Sequence, residues 1–380
     1  MAKKEKEIKG AGDDMEKFQL SKEHIRDIMT HLICVKLLFM YPRHLIENSG
    51  TGAWIQVFFM SLIILIIYKI TTVIYQKTGL FNILEISEKT GGKALKIFIS
   101  IFVLISFTLN VSATIRSYPE VVKMVLLPTT PIEIIFLAFG IAVVYAAFCG
   151  IGSLAKLHRI FLPLAAGIFL LFFIFLLPKL HTNNLFPFFG NGAKKIFING
   201  LSSLDIFVDL LVLNILLPRC KRVSDVKNAG FFAILVSGLF ATLICLLYTL
   251  AFPYPMSQNF LYPVYQMARL IKLGEFFQRM EAFFEFIWSL SILLYTAFYL
   301  KIICLVIAEA FDLKYDKPLL IPVFSIITYL SFHLGDMREL LYNNGWIGVF
   351  LIFVSFFLPF ILGGIDIIFK KRGNQLETYD

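Results

Sequence analysis

The feature that most limits what this chain can become is a series of ten apolar runs, at about residues 27–42, 54–76, 95–115, 132–150, 160–178, 201–217, 229–251, 277–307, 319–334 and 346–369. A helix needs about 20 apolar residues to cross the hydrocarbon core of a bilayer, and most of these runs reach that length. The first, sixth and ninth are short or interrupted by polar residues, and the eighth is unusually long. Of the 380 residues, 58% are hydrophobic and 16% charged, whereas a soluble domain is about half apolar and a quarter charged. The 41 Phe and 15 Tyr exceed what one globular core can bury. A soluble globular protein, a disordered chain and a secreted disulfide scaffold are therefore excluded. The expectation is an all-α integral membrane protein of ten transmembrane helices over residues 27–369, with tails at 1–26 and 370–380.

Charge orients the spans. With the N-terminus inside, the expected cytoplasmic segments carry more than twice as many Lys and Arg as the opposite face. The positive-inside rule then puts both termini in the cytoplasm, as an even number of crossings also requires. In a membrane protein the net charge of +9 reports topology, and no nucleic-acid partner is expected. Residues 1–26 mix Lys and Glu without the compact apolar core of a signal peptide. The five cysteines are scattered without zinc-like or redox spacing, and the six histidines are equally dispersed, so neither a disulfide framework nor a metal site is expected. There is no glycine-rich phosphate loop, HExxH or nucleophile elbow, and the loops are too short for a catalytic domain. No enzyme activity, catalytic residue or cofactor is expected.

Transporter folds made of two inverted repeats place their ligand where the first helix of each repeat unwinds at the bilayer midplane. Ten spans divide as five plus five, which makes spans one and six the broken helices. Span one carries Lys36 within apolar sequence and Pro42 near its end; span six carries Asp205 and Asp209, with Asn214 beyond and Pro218 closing it. As an α-helix, span six would put Asp205 and Asp209 on one face. Intramembrane charges face the bundle interior, a cavity or one another, which leaves three readings open. Lys36 neutralises Asp205 or Asp209 as a structural pair; Lys36 attracts a ligand carboxylate while an aspartate takes an amine or a proton; or these groups lie near the interface and snorkel. In span eight, Gln278, Glu281, Glu285 and Trp288 form one helical stripe continued by Tyr295 and Tyr299. Glu281 is the candidate ligand contact there, against the alternative of a carboxylate bonded to Arg279 or a loop in an aromatic belt.

Several segments resemble the B subunit of spore nutrient-germinant receptors, the GerAB-type endospore germination permeases. The most specific runs from Phe276 through Arg279, Glu281 and Trp288, similar to the family's aromatic-Arg-x-Glu-x-Phe…Trp signature, and follows Tyr262-Pro263. Thr130-Pro131-Ile132 resembles the turn before span four, and Asn184-Leu-Phe-Pro187 through Gly192 the family's Asn-Leu-x-Pro…Gly loop. Gly52-Ala-Trp54, Pro42-Arg43 and Pro218 match as well. The resemblance covers residues 20–372.

It implies a leucine-transporter-like fold of the amino acid–polyamine–organocation type. It also implies a nutrient sensor in the inner membrane of the spore, acting with a larger A subunit and a lipoprotein C subunit. The ligand would be a small germinant, commonly an amino acid. Two departures stand out: Val35-Lys36-Leu37 occupies the place of a glycine-rich bend in many relatives, and span six lacks a small residue near Leu210. The alternative from another class is a proton- or sodium-coupled amino-acid permease with Asp205, Asp209 and Glu281 as proton carriers. A third is a structural partner that anchors the A subunit and binds nothing.

Overall fold

The apolar runs become helices. The computed structural model describes residues 19–38, 41–78, 82–116, 118–220, 222–272, 280–333 and 346–376. Seven of its helices are long and apolar enough to cross a membrane, within Tyr41–Lys77, Ile83–Val125, Ile151–Lys179, Ala193–Arg219, Ser224–Ala251, Glu281–Ala310 and Trp346–Ile368. The three remaining expected spans are also helical but are not among these seven: span one is Lys22–Leu37, and spans four and nine are the shorter apolar helices Ile132–Phe148 and Leu320–His333.

Helix α1 (Lys22–Leu37) starts inside the segment expected as a tail, because Ser21 caps it: the Ser21 hydroxyl accepts from the His24 amide, and the His24 side chain reaches back to the Ser21 amide. Just ahead of it, Leu20 is fastened to the end of span six by its amide on the Arg219 carbonyl (2.9 Å). The helix is buried almost all round, by Ile25, Ile28, Met29, Leu32 and Ile33 together with Asp27, Thr30 and His31. Such a helix belongs to the interior of a bundle. Pro42 does not end this helix. It sits in the first turn of the next one, α2 (Tyr41–Ser49), where its missing N–H and fixed φ cost nothing.

A short 3₁₀ turn at Gly50–Gly52 leads into α3 (Ala53–Thr78). Helix α4 (Ile83–Arg116) is kinked at Gly91–Gly92, where Gly92 has φ 72°, so the straight part begins close to the expected start of span three. Then follow α5 (Tyr118–Val125), α6 (Ile132–Phe148) and α7 (Ile151–Leu176). The loop after α7 folds over the α2–α3 corner. Its Gly190 has φ 47°, and a Cβ there would stand 2.0 Å from the Ser49 carbonyl oxygen, so this close approach requires glycine.

Span six is made of α8 (Ala193–Phe197), a 3₁₀ helix over Asn199–Leu210, α9 (Leu211–Leu216) and a 3₁₀ turn Leu217–Arg219 that contains Pro218. It is followed by α10 (Val223–Ala251), α11 (Pro263–Arg269), α12 (Met280–Ala310) and α13 (Leu320–His333). Helix α14 (Trp346–Ile352) passes through a π turn at Phe353–Phe357 into α15 (Leu358–Leu376), which continues past the expected end of span ten. Helix α12 is the axis: it packs on α1, α4, α6, α7 and α13, while α1 lies between α7 and α10. Large apolar side chains such as Ile66, Leu137, Ile141, Ile160 and Leu170 point outward, as a lipid-facing surface demands.

Candidate functional site

The charges found in spans one and six meet in the middle of the bundle. Lys36 lies in the last turn of α1, where the negative end of the helix dipole favours a cation. Its Nζ stands 2.6 Å from Asp209 Oδ2, with side-chain exposures of 9% and 0%. The same ammonium reaches the Asp205 backbone carbonyl at 3.4 Å. The other oxygen of Asp209, Oδ1, accepts from Asn110 Nδ2 of α4 (3.0 Å), from the Tyr295 hydroxyl of α12 (3.3 Å) and from the Tyr299 hydroxyl one turn further on. Asn110 is also 3.0 Å from both tyrosine hydroxyls, and the two tyrosine rings lie 4.8 Å apart. A buried ion pair tends to be stable only where further hydrogen bonds satisfy the remaining lone pairs, and here three donors from two other helices do so.

Asp205 and Asp209 do not share a face. The 3₁₀ helix has three residues per turn rather than 3.6, so residues four apart point about a third of a turn away from each other. Asp205 therefore turns to α2, where the Tyr41 hydroxyl donates to its carboxylate and lies 3.3 Å from the Ser203 carbonyl. Asp209 turns to Lys36, α4 and α12. Each aspartate ties span six to a different half of the broken span one.

Of the other candidates, Glu281 stands at the start of α12 and is partly exposed. Its 14-residue separation from Tyr295 amounts to roughly 20 Å along the helix, so Glu281 is not brought to the Lys36–Asp209 cluster. Arg279 lies outside the described residues. Trp288 is buried with its ring 6.0 Å from Tyr118, and Glu285 is buried on the same stripe. Asn214 lies beyond the 3₁₀ segment, in α9.

Reading the sequence missed Asn110 and Tyr41 as partners. An amide alone in an otherwise apolar span was the available signal, since such side chains bond across helices in membranes. The histidines are dispersed in the sequence but not in space: His31 and His158 meet with ring centroids 4.9 Å apart. His31 Nε2 is 3.1 Å from Ser291 Oγ, and His158 Nδ1 is 2.7 Å from the Leu154 carbonyl. One turn before His31, the buried Asp27 is held by Arg26 and Arg159, each at 2.7 Å. Helix α1 thus carries Asp27 and His31 on one side, one turn apart, and Lys36 on the opposite side. Among the described residues no group of three or more His, Cys, Asp or Glu is placed to hold a metal ion.

What the cluster offers chemically is one cation and two carboxylates beside a 3₁₀ helix, inside a bundle and away from water. That set complements a small zwitterion, with Lys36 for a carboxylate and Asp209 for an ammonium. In this structure the two satisfy each other.

Comparison with known proteins gives the family. The sequence profile of a family described as spore germination protein matches residues 25–340. Spore germination protein B2 of Bacillus subtilis (strain 168) is 22% identical over 341 residues, covering 88% of this chain and 92% of that protein. Spore germination protein A2 of the same organism is 24% identical over 339 residues, with the same coverage of 88% and 92%. Spore germination protein GerQB of Bacillus cereus is 24% identical over 319 residues, covering 82% of this chain and 85% of that protein. A multi-helix membrane chain whose match extends over all but the ends of its sequence belongs to the spore germination protein family, a permease-like family and not a family of enzymes.

Proposed function

We propose that this chain is the integral-membrane B subunit of a nutrient germinant receptor, which binds a small germinant of amino-acid type and passes a conformational change to its partners. The observation that carries this reading is the Lys36–Asp209 pair, set where span one is interrupted and span six is wound as a 3₁₀ helix. A zwitterionic ligand competes with that pair: its carboxylate takes Lys36, its ammonium takes Asp209, and the join between the two halves of span one is redrawn. Differential contact of this kind is what allows a ligand to shift a conformational equilibrium.

The fold that goes with this function has ten crossings in two inverted repeats of five, like the leucine transporter, with spans one and six discontinuous. The helices Lys22–Leu37, Ile132–Phe148 and Leu320–His333 complete the ten. The protein sits in the inner membrane of the spore with both termini on the cytoplasmic side, and assembles with an A subunit and a lipoprotein C subunit. Within the site, Lys36, Asp205 and Asp209 are the ligand-facing charges. Glu281 stands in the first turn of α12, away from the Lys36–Asp209 pair, and serves the entry side.

The test is genetic and biochemical together. Spores lacking the chain lose their response to one class of nutrient, and the purified chain in liposomes shows no amino-acid counterflow. Intact nutrient germination in the deletion strain, joined to robust counterflow by the purified chain, contradicts the receptor reading and makes the protein a coupled permease.

A further inference from the structure

A second surface bears its own chemistry. Helices α6 and α13 lie side by side on the outside of the bundle and enclose an apolar groove of about 720 Å³. This falls within the roughly 300–1,000 Å³ of pockets that hold small molecules. Its floor is aromatic: the Phe136 and Phe324 rings stack at 6.2 Å and 17°. A Cβ at Gly140 would stand 2.7 Å from the Phe324 ring, so the glycine lets that ring lie against the α6 backbone. One end is closed by Phe148, and over the Phe148 ring sits the Lys317 ammonium, 4.6 Å from its centroid. Lys314, three residues earlier in the same loop, is over the Tyr315 ring at 5.5 Å.

The described acids nearest to these two lysines are already paired elsewhere. Asp312, in the same loop, is taken by Lys93 (2.5 Å) and Lys96 (3.4 Å), and Asp316 is buried against Lys301. Among the described residues neither Lys314 nor Lys317 has an ion pair. Exposed Phe311, Leu313 and Tyr315 flank them, the composition of a membrane–water interface. An apolar slot in the hydrocarbon layer, with the Lys317 ammonium over the ring that closes one end and Lys314 three residues away in the same loop, matches one class of molecule in charge and in shape, a lipid with a negative headgroup.

We propose that the α6–α13 groove is a binding site for an anionic phospholipid, with an acyl chain along Phe136, Gly140 and Val144 and the phosphate at Lys314 and Lys317. Basic pockets between transmembrane helices bind such headgroups. The groove suits a lipid better than a partner helix. A helix is about 10–12 Å across with its side chains and associates in membranes through small residues on its partner; here Gly140 is covered by the Phe324 ring, the Ser325 and Thr328 hydroxyls donate to the Ile321 and Phe324 carbonyls of their own helix, and Leu137, Ile141, Tyr145 and Tyr329 are bulky. Helix α6 also favours lipid rearrangement here: at 17 residues it rises about 25 Å, less than the ~30 Å hydrocarbon core, so the bilayer beside it must adapt. The proposed orientation puts the lysines in the cytoplasmic leaflet; the site itself stands on the groove and its charges alone.

The experiment is native mass spectrometry of the full chain in mild detergent with phosphatidylglycerol or phosphatidylcholine added. The parent should retain phosphatidylglycerol in preference, by about fivefold for each lysine. The double variant Lys314→Gln/Lys317→Gln should lose that preference, while Lys194→Gln/Lys195→Gln, in the segment that opens span six, should keep it. Val144→Phe, which fills the slot, should reduce retention of both lipids. Equal retention of the two lipids by the parent, or a preference that survives the Lys314/Lys317 change, overturns the proposal. So does a Val144→Phe variant that keeps its lipid but releases a copurifying protein, which would make the groove a helix-docking face.

Discussion

Lys36 puts an ammonium against a carboxylate that already receives three neutral donors, and the two charges are all but sealed from solvent. Removing one partner leaves the other charged and buried, so Lys36→Ala should destabilise the protein by about 3–5 kcal/mol, read as a fall in accumulation and in thermal stability in detergent. Replacing both, as Lys36→Met/Asp209→Leu, should recover most of that loss, because well-packed apolar residues replace a buried pair at little cost. Equal accumulation of single and double variants would show that the pair does not form. Tyr299→Phe removes a hydrogen bond to a charged acceptor and should cost about 1.5–3 kcal/mol in the same melts. The charged members were legible in the sequence, since a lysine or an aspartate inside an apolar run is conspicuous. Asn110, Tyr295 and Tyr299 were not legible as a set. A lone amide or tyrosine is ordinary in such a run, and only packing brings α4 and α12 to the same oxygen. His31 and His158 were hidden for the same reason, being 127 positions apart in the chain and 4.9 Å apart in space.

Among the elements, spans one and six decide the architecture. Their breaks were legible from Lys36, Pro42 and the polar start of span six, but the form of the breaks was not. Pro42 opens α2 rather than closing α1, and the Asp205–Asp209 spacing read as one face because an α-helix was assumed. A 3₁₀ winding has no clear sequence signature, and in 12 residues it redirects Asp205 to Tyr41. Asp205→Ala and Tyr41→Phe should therefore each weaken the join between α2 and span six, with a coupling of roughly 0.5–3 kcal/mol in a double-mutant cycle; strictly additive losses would deny the contact. The loop over the α2–α3 corner makes a sharper demand. Gly190→Ala must clear the Ser49 carbonyl and hold φ 47°, so it should destabilise by about 1–3 kcal/mol, measured as a lower melting temperature. An unchanged melt would mean that the loop sits elsewhere.

At the scale of the whole molecule, hydropathy and charge asymmetry gave the solvent and an orientation, and the structure arranges the spans around α12. The expected ten spans are all helical where described, and among the described residues seven helices are long and apolar enough to cross a membrane. Helix α1 is packed inside protein, and its Asp27, His31 and Lys36 meet side chains rather than lipid. Orientation is open to direct test. In sealed vesicles of known sidedness, a cysteine at Phe188 should react with an impermeant maleimide from the outer face and one at Tyr315 only after permeabilisation; the reverse pattern would invert the topology. The central claim is that the Lys36–Asp209 pair is where a nutrient acts. The measurement that bears on it most directly is the nutrient concentration for half-maximal germination, in spores carrying Lys36→Met/Asp209→Leu at receptor levels matched to the parent. A shift of more than about tenfold, or loss of the response, is expected, since each charged hydrogen bond lost is worth about 1.5–3 kcal/mol. An unchanged concentration dependence at equal receptor level would contradict it and leave the pair a purely structural one.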